Sequence, residues 1–183
     1  MKSMTVTFAV AFMLFLLTAC GRDDAELYEA AGLYLNIGTS VSLFSPAPVP
    51  EAFSRLLTSD DSDALFGMLS RDFNGHAFFM PDGTAYWVSA TCTDGVRVGI
   101  GGYGLMTHIN ADFPTVVSDI DGTAVRAYAV GTALYAFFRV ADTPVVVNTS
   151  HWILDEGKAH LLWLVQQFIA HPPDLSLLDI NAP

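Results

Sequence analysis

The sequence predicts an α+β fold: an antiparallel meander sheet of about six or seven strands, a helical N-terminal third, and a C-terminal amphipathic helix packed on the sheet. Three observations predict it. Between Gly75 and Asn148, β-rich runs alternate with turn signals, and no long helix separates them. Before Gly75 the texture is cap-rich and helical or irregular. From Asp155 to His171, apolar residues recur at helical spacing and stop at Pro172-Pro173. The chain has 183 residues, a length that suits one domain, and no internal repeat marks a second.

The elements follow in order. Asp23-Asp24 can cap a helix, and Leu27, Tyr28, Ala31, Tyr34 and Leu35 give it an apolar stripe over 24–36, weakened by Gly32. Ser45 to Pro50 is stiff and extended, because proline fixes φ and restricts its predecessor. Pro50 suits the first position of a short helix reaching Leu57. The acidic link Thr58 to Asp63 starts another helix across Ala64 to Leu69.

Strands then flank Pro81-Asp82-Gly83-Thr84, and Ala85 to Cys92 leads through Thr93-Asp94-Gly95 into Val96 to Ile100. A glycine-rich connection, Gly99 to Gly104, and a short strand over 105–109 follow. It has neither lysine nor a clear helix start, so it reads as a bend rather than a phosphate loop. Val116 to Ile120 and Thr123 to Val130 form a hairpin on Asp121-Gly122, the favoured pair for a type I′ turn. Thr132 to Val140 and Val145 to Asn148 complete the sheet. In the last helix, Leu161, Leu162, Leu164, Val165, Phe168 and Ile169 share one broad face, while Glu156, His160, Trp163 and Gln167 lie opposite. The Leu-rich tail after Pro173 packs back.

Charge narrows the function. There are 19 acidic residues against 8 Lys and Arg, a formal net charge of -11. Nucleic acid and anionic lipid surfaces are both disfavoured, because each is held by cations. With hydrophobic residues at 52% and charged residues at only 15%, disorder is excluded.

The first residues read as an address. Lys2 gives a positive start, and Val6 to Leu17 is apolar but for Thr7. That is about 12 residues, against roughly 20 for a membrane-spanning helix. The run ends in Leu17-Thr18-Ala19-Cys20, which resembles the lipobox of bacterial lipoproteins. The resemblance implies a leader over 1–19, a mature domain over 20–183, and diacylglycerol and acyl chains on Cys20, enough for stable anchoring. In a Gram-negative host, the same resemblance takes Gly21 after the cysteine to imply the outer membrane, facing the periplasm, rather than retention at the inner one.

With Cys20 given to lipid, Cys92 has no intrachain partner and reads as a buried thiol. Asp119-Ile120-Asp121-Gly122-Thr123 resembles motif I of haloacid-dehalogenase-like phosphatases, whose nucleophile and acid/base would be Asp119 and Asp121. That family continues into a helix, whereas here more strand follows, and the later lysine could only be Lys158. The pair Asp121-Gly122 therefore reads as the turn of a hairpin. His151 and His160 are nine apart, so one helix cannot aim both at a metal; Glu156 and His160 alone are too few for zinc. No Gly-x-Ser-x-Gly elbow is present.

The expectation is a non-enzymatic envelope protein without cofactor or metal that binds a protein partner, with Trp163, Gln167, His160, Glu156 and Tyr103 as contact residues. An immunity or inhibitor protein against a secreted toxin or cell-wall hydrolase is one form, and an acidic surface suits a basic partner. An accessory subunit of an envelope secretion or transport assembly is another. A small envelope hydrolase is the enzymatic alternative, and it requires His108, His160, Cys92 or the Asp119-Asp121 pair to meet in a cleft.

Overall fold

The computed structural model describes residues 27–30, 32–37, 53–102, 117–151 and 153–183. They form an α+β fold with a mixed, mostly antiparallel sheet and two α-helices. The strands are β1 (Leu27–Ala30), β2 (Leu33–Ile37), β3 (Phe53–Leu56), β4 (Phe73–Phe79), β5 (Ala85–Cys92), β6 (Arg97–Gly101), β7 (Ser118–Ile120), β8 (Thr123–Val130), β9 (Ala133–Val140) and β10 (Thr143–Ser150). The helices are α1 (Ser59–Phe66) and α2 (Leu154–Ala170). Short 3-10 turns cover Gly67–Leu69 and Leu175–Leu177.

The sheet runs β1-β2-β8-β9-β10-β6-β5-β4-β3, with β7 pairing β8 beside β2. Two local meanders, β3 to β6 and β8 to β10, are therefore joined by the antiparallel pair β6–β10. The pair β2–β8 is parallel, with Leu35 opposite Ala127. This corrects the simple meander of about six or seven strands: the described residues form ten, and two of the pairings are non-local.

The N-terminal helices over 24–36 and from Pro50 to Leu57 are also corrected, because β1, β2 and β3 occupy the described parts of those ranges. Gly32 adopts φ +83, which reverses the chain instead of merely weakening a helix. Leu33 and Leu35 are both fully buried, the two-residue period of a strand. Where the two segments meet, the Tyr34 amide donates to the buried Ser118 hydroxyl over 2.7 Å, closing the junction of β2 with β7.

The third expected helix exists but starts earlier, at Ser59. Thr58 and Asp61 form a reciprocal capping box: the Asp61 amide donates to Thr58 Oγ1 at 3.1 Å, and the Thr58 amide to Asp61 Oδ2 at 2.7 Å. The expected strand over 105–109 lies outside the described residues. Asp121 and Gly122 take φ +50 and +78, so the Asp-Gly turn is left-handed at both centres, as its sequence predicts.

One face of the sheet and the apolar face of α2 enclose the main core. Leu161, Leu164, Val165 and Phe168 of the helix are fully buried there, with Phe66, Val98, Leu134 and Phe138 from other elements. The tail packs back through Leu175, Leu178 and Ile180, while Leu177 stays exposed. A second cluster, Trp87, Tyr128, Phe137 and Val146, occupies the alternate strand positions on the opposite face. The Trp87 ring lies against the backbones of Gly99 and Gly102, where any Cβ would enter the ring. The glycines of 99–102 are thus required by close packing rather than by a phosphate.

Candidate functional site

A cluster of polar side chains lies where α2 follows β10. His151 sits just beyond the last strand residue, Ser150, and its amide donates to Thr132 O at 3.1 Å. Three residues later α2 begins, and its second turn brings His160 back over His151. Gly157 makes this approach close. A Cβ there would meet Leu134 Cδ1 at 2.7 Å and His151 Cβ at 3.0 Å. Gly157→Val is expected to cost about 2 kcal/mol by overpacking, read as a lower urea midpoint with an unchanged m-value; an unaltered midpoint would show that helix and sheet can part there freely.

His151 Nε2 and His160 Nδ1 are 2.8 Å apart, with the rings nearly perpendicular at 89°. On the other side of His160, Arg71 Nη2 lies 3.2 Å from Nε2. Arg71 follows the 3-10 turn after α1, and its guanidinium carbon stands 5.7 Å from the Trp163 ring centroid. Its Nη1 is 2.8 Å from Asp94 Oδ2 in the β5–β6 turn, a charge contact without hydrogen-bond geometry. The Trp163 ring is 6.1 Å from that of His160 and 39% exposed.

Burial pushes the His160 imidazole below the ordinary histidine range. The charge of Arg71 and the nearness of His151 push the same way, against a smaller opposing pull from Asp94. Burial alone would raise the Asp94 carboxyl. The Val96 amide, the Cys92 thiol and the positive charge of Arg71 outweigh it and hold Asp94 below the usual carboxylate range.

The fold therefore joins two histidines that sequence spacing had kept apart. The spacing argument assumed one helix, whereas His151 approaches from the strand end. Arg71 and Asp94 were missed. They are distant in sequence from His160 (89 residues for Arg71), and no local pattern marks them. Of the expected contact residues, Glu156 and Trp163 are exposed, and His160 and Gln167 are half-buried along the outward stripe of α2. Tyr103, His108 and Cys20 lie outside the described residues. Cys92 is a free, buried cysteine.

Comparison with protein-family models, curated proteins and solved structures finds no match.

Among the described residues, no three His, Cys, Asp or Glu side chains are grouped to hold a metal ion. A metal on His160 Nδ1 would also force a hydrogen onto Nε2, facing an Arg71 N–H. Asp119 closes its own turn, accepting the Gly122 amide at 2.9 Å. Lys158 is buried and paired with Asp155 at 2.6 Å, one turn of the same helix away. A cavity of about 330 Å³ opens beside the start of α1, lined by Thr58, Asp60, Asp61 and Asp179 among others, and it contains neither histidine nor arginine.

Proposed function

We propose that this chain is a lipid-anchored envelope protein of bacteria that works by binding another protein through the outward stripe of α2. The observation that carries the reading is Trp163. It is a large aromatic side chain left 39% exposed, bordered by Arg71 and His160. Tryptophan and arginine are the residue types that dominate binding energy when a partner desolvates them. Glu156 and Gln167 extend the stripe by one helical turn on either side. The net charge of -11 suits a basic partner through steering, as in an immunity or inhibitor protein against a secreted toxin or cell-wall hydrolase. A subunit of an envelope secretion or transport assembly would use the same surface. The hydrolase alternative has less support, since Cys92 is 6% exposed, Thr149, whose hydroxyl is near His160, is 2% exposed, and Asp119 serves its turn.

The anchor is part of the proposal: residues 1–19 are a leader, and Cys20 begins the mature domain 20–183, carrying acyl chains at the outer membrane and facing the periplasm. Cys20→Ser is expected to abolish acylation and release the protein from the membrane fraction, read by intact mass and fractionation; a variant that stays lipidated would refute the anchor. For the partner, cross-linking capture with the tagged full chain is expected to yield one stoichiometric protein. Trp163→Ala should weaken that complex by about 2 kcal/mol, roughly thirtyfold. Its fold should persist, read as an unchanged far-UV circular dichroism spectrum and a cooperative urea transition. Equal affinity for the variant, or capture of lipid or sugar alone, would overturn the reading.

A further inference from the structure

We propose that His151 and His160 form an acid-released clasp that latches the start of α2 to the end of β10. Arg71 fixes the direction of the contacts. A guanidinium has donors only, so the contact from Arg71 Nη2 makes His160 Nε2 an acceptor. A neutral His160 must then carry its hydrogen on Nδ1, which faces His151 Nε2 at 2.8 Å. His151 Nε2 is therefore the acceptor, and the His151 hydrogen sits on Nδ1. The Thr149 hydroxyl is 3.5 Å from His160 Nδ1, too far to compete. The result is a directed chain: Arg71 donates to His160, and His160 donates to His151, with one hydrogen between the rings.

A second proton has no good place in this chain. On His160 Nε2 it faces an Arg71 N–H. On His151 Nε2 it faces the His160 N–H. Either way two donors oppose each other, and another positive charge joins Arg71. The other charged and titratable neighbours offer little relief. Asp94, from the β5–β6 turn, already pairs with Arg71 and takes the Cys92 thiol. Glu156 is one turn back on the same helix and exposed, and Lys158 is paired with Asp155.

The sign follows. The folded protein holds His160 below its ordinary value of 6.5, so the unfolded chain takes up the proton first on acidification. The contribution of the clasp is complete above that value and is lost as pH falls below it. The lesion is local. Gly157 lies against His151 and Leu134 directly under the pair, whereas the second half of α2 is held by Leu164, Val165 and Phe168, all fully buried. Acid thus loosens 154–160 and spares 164–170. This clasp stands whether or not Trp163 meets a partner.

The test is hydrogen exchange on the full chain at about pH 7.5 and about pH 5, each corrected for intrinsic rates. Peptides covering 154–160 are expected to lose protection in acid while those covering 164–170 keep it. The variant carrying both His151→Gln and His160→Gln is expected to exchange alike at the two pH values, because glutamine amides offer a donor and an acceptor but do not titrate. A ¹⁵N spectrum of the wild-type imidazoles supplies a second reading that needs no variant. At neutral pH both rings should carry the hydrogen on Nδ1. Equal protection of 154–160 at both pH values, acid loosening of the double variant as large as that of the wild type, or a hydrogen on His160 Nε2 would each overturn the clasp.

Discussion

Phe168→Ala is expected to destabilise the protein by about 3–5 kcal/mol, a large part of the stability of an ordinary domain. The Phe168 side chain is fully buried. Its ring stands 6.5 Å from that of Phe66, nearly perpendicular at 83°, and 6.4 Å from that of Phe138. It therefore ties α2 to α1 and to β9 at one point. Truncation removes the transfer energy of the ring and leaves a cavity among aromatic neighbours, whose rigid rings collapse poorly into it. The edge-to-face contact with Phe66 adds a further share. Urea unfolding followed by far-UV circular dichroism gives the value. Gln166→Ala, an exposed neighbour on the same helix, serves as the control, with an expected change within about 0.5 kcal/mol. A Phe168 variant no less stable than that control would mean that α2 is not docked through this face.

The second large effect is expected at Asp61. Its carboxylate accepts the Thr58 amide as part of the α1 capping box and both terminal nitrogens of Arg55. Arg55 in turn donates to Asp179 O, so one carboxylate organises β3, α1 and the tail. Asp61→Ala removes the cap and leaves Arg55 largely buried without its counter-ion, a loss of about 3 kcal/mol. Asp61→Asn should cost less, because its amide oxygen can still accept from Thr58. Acid provides a second readout. Burial pushes the Asp61 carboxyl up, but the hydrogen bonds from Arg55 and Thr58 prevail and hold it below the ordinary value of 3.8. Its stabilisation is thus present above that value and lost as pH falls through the depressed folded value. Urea midpoints at about pH 7 and about pH 3 should fall further for the wild type than for Asp61→Ala; parallel losses would show that Asp61 contributes nothing to acid sensitivity.

What could be read from the sequence was local. Asp94-Gly95 and Asp121-Gly122 each close a hairpin, and their glycines take the left-handed conformations that turns of this kind need. The buried face of α2 follows from a 3.6-residue period over seventeen residues. What could not be read was distant. Nothing near Leu35 announces Ala127 as its neighbour, nor does Val98 announce Val147. In the N-terminal third, spacing compatible with a helix yielded to tertiary pairing, and Gly32 was the residue that signalled the reversal. The histidine pair was illegible for the same reason. Its two flanking groups come from a turn after α1 and a turn between β5 and β6, and one of its own members sits just past a strand end. Trp163 was legible, because its place on the helix depends on the period alone.

The parallel pair β2–β8 bears on how the chain reaches this state. One edge of β8 meets β9, its immediate successor, while the other is shared by β7 and β2. The hairpin β8–β9 and its extension to β10 involve short loops and can assemble early. The strand that covers the far edge of β8 lies near the start of the chain, so closing that loop carries a large entropic cost. Until β2 arrives, the residues Ala127 to Ala129 present open amides and carbonyls, a template for any extended peptide. A chain that pairs β8 with β9 before β2 docks would therefore leave this edge open to other extended segments, and dilution or a chaperone that shields such edges would favour the native pairing.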